Sequence, residues 1–399
     1  MKKPDDLFKL IKSLEKAEKG YFKKFAQTHN KGAEHQYLKL FDAIDQQLEY
    51  NEPDLLKKFK SESFVKQLSV TKSYLWDLIL KSQRAYRAQS SKFMRLNALM
   101  ENGEILFEKG LYEQALVAWD KAKKLAEAFD EKAFILDLEA WKRRYFVDLK
   151  AELWDTNVLP SFETTDKLLE QYRTTFEIQK IYYQITKYIK TYPDFRNPEH
   201  KQKYEALLQH PLIQAKNEPA DFYGKLYFNY VHSNYHNLAN NEKENLKYIN
   251  KVIQLWHENP LLINVEPIRY IAAINNYLGT LSKFGRYTEF INYVEAFKPP
   301  VFNSISQEAI YYEHWWRWKE ITFKITKNDI EFGNFIDETF PKLVAYAPYI
   351  NSVRWMLIRF AIAGHYFKTK NYNAALTIIN ELIDAKDIEL RKDIQAHTR

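Results

Sequence analysis

The sequence predicts an all-α chain: a basic helical head over residues 1–90, then a right-handed α–α superhelix of stacked helix pairs over residues 91–399. Three observations predict it. Only 9 of 399 residues are Gly, far below the usual share of about 7%, which disfavours turn-rich β architecture. Apolar residues recur at helical intervals of three and four along most of the chain. One turn pattern also returns with a period of about 42 residues, the mark of an array whose units each leave an apolar flank for the next to cover.

The totals exclude several function classes. Apolar residues at 46% and charged residues at 28% belong to a folded chain rather than a disordered one. There is no Cys, so disulfides, thiolate metal sites and cysteine nucleophiles are ruled out. The start, "MKKPDDLFKLIKS", has two acids where a signal peptide needs its apolar core. No run reaches the roughly 18 apolar residues of a membrane span, and the longest candidate, "WMLIRFAIAGHYF", is interrupted by Arg359. A cytoplasmic protein with no membrane contact is expected. Residues 1–100 hold 20 Lys and Arg against 12 Asp and Glu, a surplus of +8 in a chain of net charge +7. Such a head can face nucleic acid or an acidic partner; the same lysines also suit a solvated helix face.

In the head, Leu7, Leu10, Ile11 and Leu14, then Tyr21, Phe22 and Phe25, recur with lysines between them. "YLKLFDAIDQQL" and "SVTKSYLWDLILKSQRAY" repeat the pattern. Breaks are expected at "HNKGAEH" and "YNEPD", where Gly and Pro disfavour helix. Beyond the head come long helices in pairs. In "EILFEKGLYEQALVAWDKAKKLAEAFDEKA", Gly103 lets one helix approach its neighbour, Gly110 ends it and Tyr112 starts the next. Ala115, Trp119 and Ala122 then face back. The same turn is read at Asn245, Tyr287, Ile330 and Tyr372, with spacings of 42, 43 and 42. Extending the period backwards places turns near Asp155 and His200, where Pro160, Pro193 and Pro198 supply breaks. About seven pairs result.

Gly103, Gly110, Tyr112, Ala115, Trp119 and Ala122 together resemble the tetratricopeptide repeat: a small residue, Gly near the turn, an aromatic after it, then Ala, a large aromatic and Ala. The usual closing Pro is missing, and the period exceeds the ~34 of that repeat. The resemblance implies a tetratricopeptide-like solenoid with lengthened helices over roughly residues 95–395. It also implies a concave groove lined by the first helix of each pair. The head, in "LIKSLEKAEKGYFKKFA", "YLKLFDAI" and "FVKQLSVTKSYLWDLILKS", resembles the N-terminal part of a family of uncharacterised bacterial tetratricopeptide-repeat proteins, which implies no activity. "ELRKDIQAHTR" reads as a helix that stops mid-pattern, so a truncated chain is expected.

Catalytic signatures are missing: no Gly-rich phosphate loop, no G-x-S-x-G and no H-E-x-x-H. A non-catalytic protein without cofactor or metal is expected. His232 and His236 stand four apart, a ligand spacing, but lack a third ligand nearby in sequence. In "YYEHWWRWKE", Trp315 and Trp318 share a face and Trp316 turns away; core packing is the first expectation for them. "YFNYVHSNYHNLANN" places Asn229, Asn234, Asn237, Asn240 and Asn241 on one expected first helix, and "AAINNYLG" carries Asn275 and Asn276 one turn pattern later. Asn is a mediocre helix former, and an amide offers donor and acceptor together, matching a peptide backbone. In the resembling repeats, groove asparagines grip a bound peptide. Asn234, Asn237, Asn275 and Asn276 are therefore the candidate peptide-binding residues. Arg143 and Arg144 are candidate clamps for acidic groups, with Arg354 and Arg359 as further cations on the last first helix. The expected partner is a protein or extended peptide in the groove.

Overall fold

The computed structural model describes residues 5–29, 34–88, 91–146, 154–191, 198–215 and 218–384. These are overwhelmingly helical, with no strand among the described residues. The expected breaks at residues 30–33 and 192–197, and the final helix start at 389–399, lie outside them. The chain divides into two compact units, residues 1–122 and 123–399.

The first unit contains α1 (Asp6–Ser13), α2 (Lys16–His29), α3 (Glu34–Gln46), α4 (Glu52–Lys58), α5 (Leu68–Tyr86), α6 (Lys92–Glu108) and the first part of α7 (Tyr112–Ala128). Leu7, Ile11, Phe22, Phe41, Ile44, Leu75 and Ile79 form its core, the residues whose helical spacing announced the head. Lysines around this core are matched with acids: Lys19 with Asp45, Lys23 with Asp42, Lys39 with Glu62, Lys72 with Glu52.

The second unit continues with α8 (Lys132–Phe146), a π-turn (Trp154–Val158), α9 (Leu159–Thr191), α10 (Pro198–Leu208), α11 (Pro211–Gln214), α12 (Phe222–Leu238), α13 (Glu242–His257), α14 (Pro260–Val265) and α15 (Pro267–Lys283). Then follow α16 (Tyr287–Ala296), α17 (Ile305–Thr326), α18 (Asp329–Tyr346), α19 (Ser352–Lys368) and α20 (Tyr372–Ile383).

One backbone device joins the pairs α6/α7, α12/α13, α15/α16, α17/α18 and α19/α20. A residue with left-handed backbone closes the first helix: Gly110, Asn240, Gly285, Lys327 and Lys370, with φ of 74°, 52°, 71°, 55° and 63°. The next N–H then reaches back over the helix end, Leu111 to Leu106 O, Asn241 to His236 O, Arg286 to Leu281 O, Asn328 to Phe323 O and Asn371 to Tyr366 O. This is the C-terminal closure that uses carbonyls a helix end would otherwise leave unpaired. In all five pairs the second helix begins two residues after the left-handed one, so each begins in the same phase. The residue five places past the left-handed one is buried in all five pairs: Ala115, Asn245, Phe290, Phe332 and Ala375.

Two positions of the sequence pattern shift accordingly. The counterpart of Tyr112 is Glu242 rather than Asn245, and Asp329 rather than Ile330, since the left-handed Asn240 and Lys327 set the frame. Asn245 instead occupies the buried site of Ala115 and accepts a hydrogen bond from Ser233 Oγ at 2.9 Å. The aromatics after the turns, Tyr112, Tyr287 and Tyr372, are exposed.

The π-turn holds Asp155, and Pro160 stands in the first turn of α9, where its missing N–H costs nothing. From there α9 runs without a break for 33 residues. Its beginning packs back along α8, with Arg143 bonded to Ser161 and Thr165. Its latter half lies beside α12, with Gln179 bonded to Tyr227 and Thr175 to Asp221. One helix thus serves as the second member of one pair and the first member of the next.

The first helices run parallel. Between α12 and α15, side-chain bonds keep a nearly constant offset in sequence from one end to the other: 43 from Tyr223 to Glu266, 42 from Tyr227 to Arg269 and 46 from Asn237 to Lys283. Antiparallel neighbours would give offsets that change steadily along the helix.

Glycine substitutions test the packing. A Cβ at Gly103 would lie 2.0 Å from Trp119 Nε1, whereas one at Gly279 meets nothing within 4 Å. Gly103→Ala is expected to destabilise by about 1–3 kcal/mol through overpacking, and Gly279→Ala to stabilise by about 0.5–1 kcal/mol. Urea unfolding of each variant measures both; equal effects would contradict the close approach at Gly103.

Candidate functional site

The candidate site is the face of the first-helix layer that runs across α9, α12 and α15. Tyr223, Tyr227, Tyr230, Asn234 and Asn237 recur at three and four along α12 and so share one face. Opposite them on α15 stand Arg269, Ala272, Asn276, Gly279 and Lys283. Tyr227 Oη accepts from Gln179 Nε2 at 3.1 Å and from Arg269 Nη2 at 3.3 Å. Arg269 also lies over the Tyr223 ring, 5.4 Å from its centroid, and Tyr223 Oη donates to Glu266 at 2.9 Å. Tyr182 packs on both Tyr227 and Tyr230. Burial, then the neighbouring Tyr182, pushes the Tyr230 hydroxyl well above its ordinary pKa, so it stays protonated.

The candidate amides sit within this network. Asn276 is exposed and its amide stands near the Tyr230 hydroxyl. Asn275, one position earlier, points the other way and accepts from Trp318 Nε1 of α17 at 3.2 Å. Asn237 Oδ1 accepts from Lys283 Nζ at 2.6 Å. Asn234 is half-buried on the same face of α12. The structure therefore brings Asn234, Asn237 and Asn276 to one surface, while Asn275 ties α15 to α17.

The other asparagines of this run have different work. Asn240 and Asn241 lie beyond the end of α12, contrary to the sequence reading. Asn240 is the left-handed turn residue, a conformation Asn tolerates better than most. Asn241 caps α13, its Oδ1 accepting from Glu244 N at 3.3 Å. Asn229 is buried, donating to Lys225 O at 2.8 Å.

Arg143 is taken up inside the fold. Its Nη1 donates to Ser161 Oγ at 3.2 Å and Thr165 Oγ1 at 2.9 Å, and its guanidinium lies 4.7 Å from the Phe162 ring centroid. Arg144 is exposed on α8. Arg354 pairs with the buried Glu313 at 2.7 Å, and Arg359 with Glu381. Trp316 and Trp318 are both fully buried, Trp316 Nε1 donating to Thr339 Oγ1 at 3.1 Å.

Sequence reading missed the tyrosines and Arg269, although the 223–227–230 spacing was visible. It also missed a stripe on α9. Phe162, Leu169, Phe176 and Tyr183 recur every seven residues, with Tyr172 between them, and all five are 44–54% exposed. Large apolar side chains aligned on one open helix face commonly mark a contact surface.

His232 and His236 pack against an aromatic ring. Both rings stack on Tyr248 of α13, at 4.5 Å and 5.8 Å between centroids with nearly parallel planes. Among the described residues no group of three His, Asp or Glu side chains could hold an ion. Burial lowers the pKa of both histidines, that of His232 to about 4. Between that value and the ordinary 6.5, the unfolded chain binds a proton that the folded chain refuses. Stability contributed by neutral His232 is thus present above pH 6.5 and lost as pH falls towards 4, by at most about 1.4 kcal/mol per pH unit. His232→Phe keeps the ring stack and removes the titration. Urea midpoints at pH 7 and pH 4.5 are expected to drop less in the variant than in the wild type; an equal drop would refute the assignment.

Compared with known proteins, the chain matches no family model, no curated protein and no solved structure.

Proposed function

We propose that the chain is a non-catalytic scaffold, a tetratricopeptide-like solenoid that docks a protein or extended peptide on the face formed by its first helices. The constant-offset bonds between parallel first helices carry this reading. They make one continuous surface from helices far apart in sequence. On that surface Ala272 and Gly279 are exposed and small, and Asn276 stands between them. A shallow track with an amide in its floor suits an extended backbone, whose N–H and C=O groups match the amide whatever side chains follow. Tyr183, Tyr223 and Arg269 beside the track are residue types that dominate binding energy at protein interfaces. Tyr183, at the end of the stripe on α9, meets Tyr227 of this surface.

Ala272→Arg and Gly279→Arg place a bulky cation on the track at positions open to solvent, so the fold is expected to survive. Proteins that co-purify reproducibly with the wild-type chain should be identified by mass spectrometry and their affinity measured by calorimetry. Each variant is expected to weaken that affinity at least tenfold with an unchanged melting temperature. A partner that binds both variants as it binds the wild type would remove this face from the proposal.

A further inference from the structure

A second site lies away from that track, near the turn ends of α17, α18 and α19. A cavity of about 380 Å³ opens there, within the range of small-molecule sites. Its origin is a mismatch of side-chain size across two parallel helices. On α17, Arg317, Glu320 and Lys324 share a face; on α19, the facing residues are Ala361, Gly364 and His365. A Cβ at Gly364 would meet nothing within 4 Å. Phe332, Leu357 and Phe360 supply apolar walls.

The polar groups are arranged with one sign in excess. Glu320 is 1% exposed, and both its oxygens are taken, Oε2 by Arg317 at 2.7 Å and Oε1 by Lys324 at 2.6 Å. Lys368 pairs with Asp329 at 2.7 Å on the rim, where its side chain is 63% exposed. Three cations therefore face two carboxylates. The buried carboxylate is fully matched from within the fold, so it offers little to an incoming ammonium. Arg317 spends one nitrogen on Glu320 and has further N–H donors. His365, 8% exposed on the cavity wall, makes an edge-on contact with Phe332.

We infer that this cavity binds a small amphipathic organic acid, an apolar chain or ring carrying one carboxylate. The apolar body would fill the space left by Ala361 and Gly364 against Phe332, Leu357 and Phe360. The carboxylate would lie at the mouth, near Arg317, Lys324 and Lys368. Uniform apolar lining would select no charge, and a surplus of acids would select an amine; the residues present select an anion.

The test uses octanoate, octylamine and octanol as probes, titrated into the full chain by calorimetry and by thermal melting. Octanoate is expected to bind at least tenfold more tightly than either of the others. Gly364→Leu fills the cavity and should weaken octanoate at least tenfold without lowering the melting temperature of the free protein. Lys368→Glu replaces an exposed rim cation and ends its pairing with Asp329; it should reverse the preference towards octylamine, which keeps the test decisive if Gly364→Leu fails to fold. Ala272→Arg, on the other track, should leave octanoate binding unchanged, so this site and the docking face stand or fall separately. The inference is overturned if octanoate does not bind, if octylamine binds as well, or if Lys368→Glu leaves the preference intact.

Discussion

The arrangement depends on the left-handed residue that closes each first helix. A helix end leaves carbonyls without partners, and a turn of arbitrary length would satisfy them in arbitrary ways. Here the closure recurs from Gly110 to Lys370, at Asp130 between α7 and α8 as well, and each time the next helix begins two residues after the left-handed one. Constant turn length fixes the phase of the second helix, which decides which residue becomes buried. It also lets neighbouring first helices keep one register. Non-Gly residues in this conformation carry a cost of roughly 1–2 kcal/mol. Asn240, Lys327 and Lys370 accept it, offset by the recovered backbone hydrogen bonds.

Helix α9 demonstrates what happens without that device. No left-handed residue interrupts residues 159–191, and the helix passes from one pair into the next. Its beginning packs on α8 and its latter half on α12, so no single neighbour covers its whole length. The uncovered side keeps Phe162, Leu169, Tyr172, Phe176 and Tyr183 in solvent. An interruption in the regularity of the turns thus accompanies an aligned row of exposed apolar side chains.

Much of this was legible in the sequence, and the remainder was not for identifiable reasons. Gly110 and Gly285 announce their turns because glycine alone adopts positive φ without strain. Lys327 and Lys370 do not, since lysine carries no such signal; period arithmetic located those turns only to within a residue or so. The Asn-rich run was readable as unusual, but one amide can close a turn, cap a helix, bridge two helices or face a ligand. Asn240 closes a turn, Asn241 caps a helix and Asn275 bridges two helices, while Asn234 stands half-buried on the surface. Choosing between them needs the partner's position, and Trp318 stands 43 residues from Asn275, Lys283 46 from Asn237. The bonds of Arg143 were hidden for the same reason: its partners Ser161 and Thr165 lie across a turn that the sequence places but does not orient.

The bonds that occupy the candidate amides strengthen the docking proposal rather than weaken it. A free asparagine on a helix surface samples several rotamers, and a ligand that orders it loses part of the binding energy to that ordering. Asn276 stands beside the Tyr230 hydroxyl, and Tyr230 is itself packed against Tyr182. An amide has two donor hydrogens and an acceptor oxygen with two lone pairs, so one bond to a tyrosine hydroxyl leaves capacity directed outwards. The backbone of a docked peptide could use that capacity without displacing the tyrosine. The small residues Ala272 and Gly279 on either side then matter as much as the amide, because they let a main chain come within hydrogen-bonding distance of it.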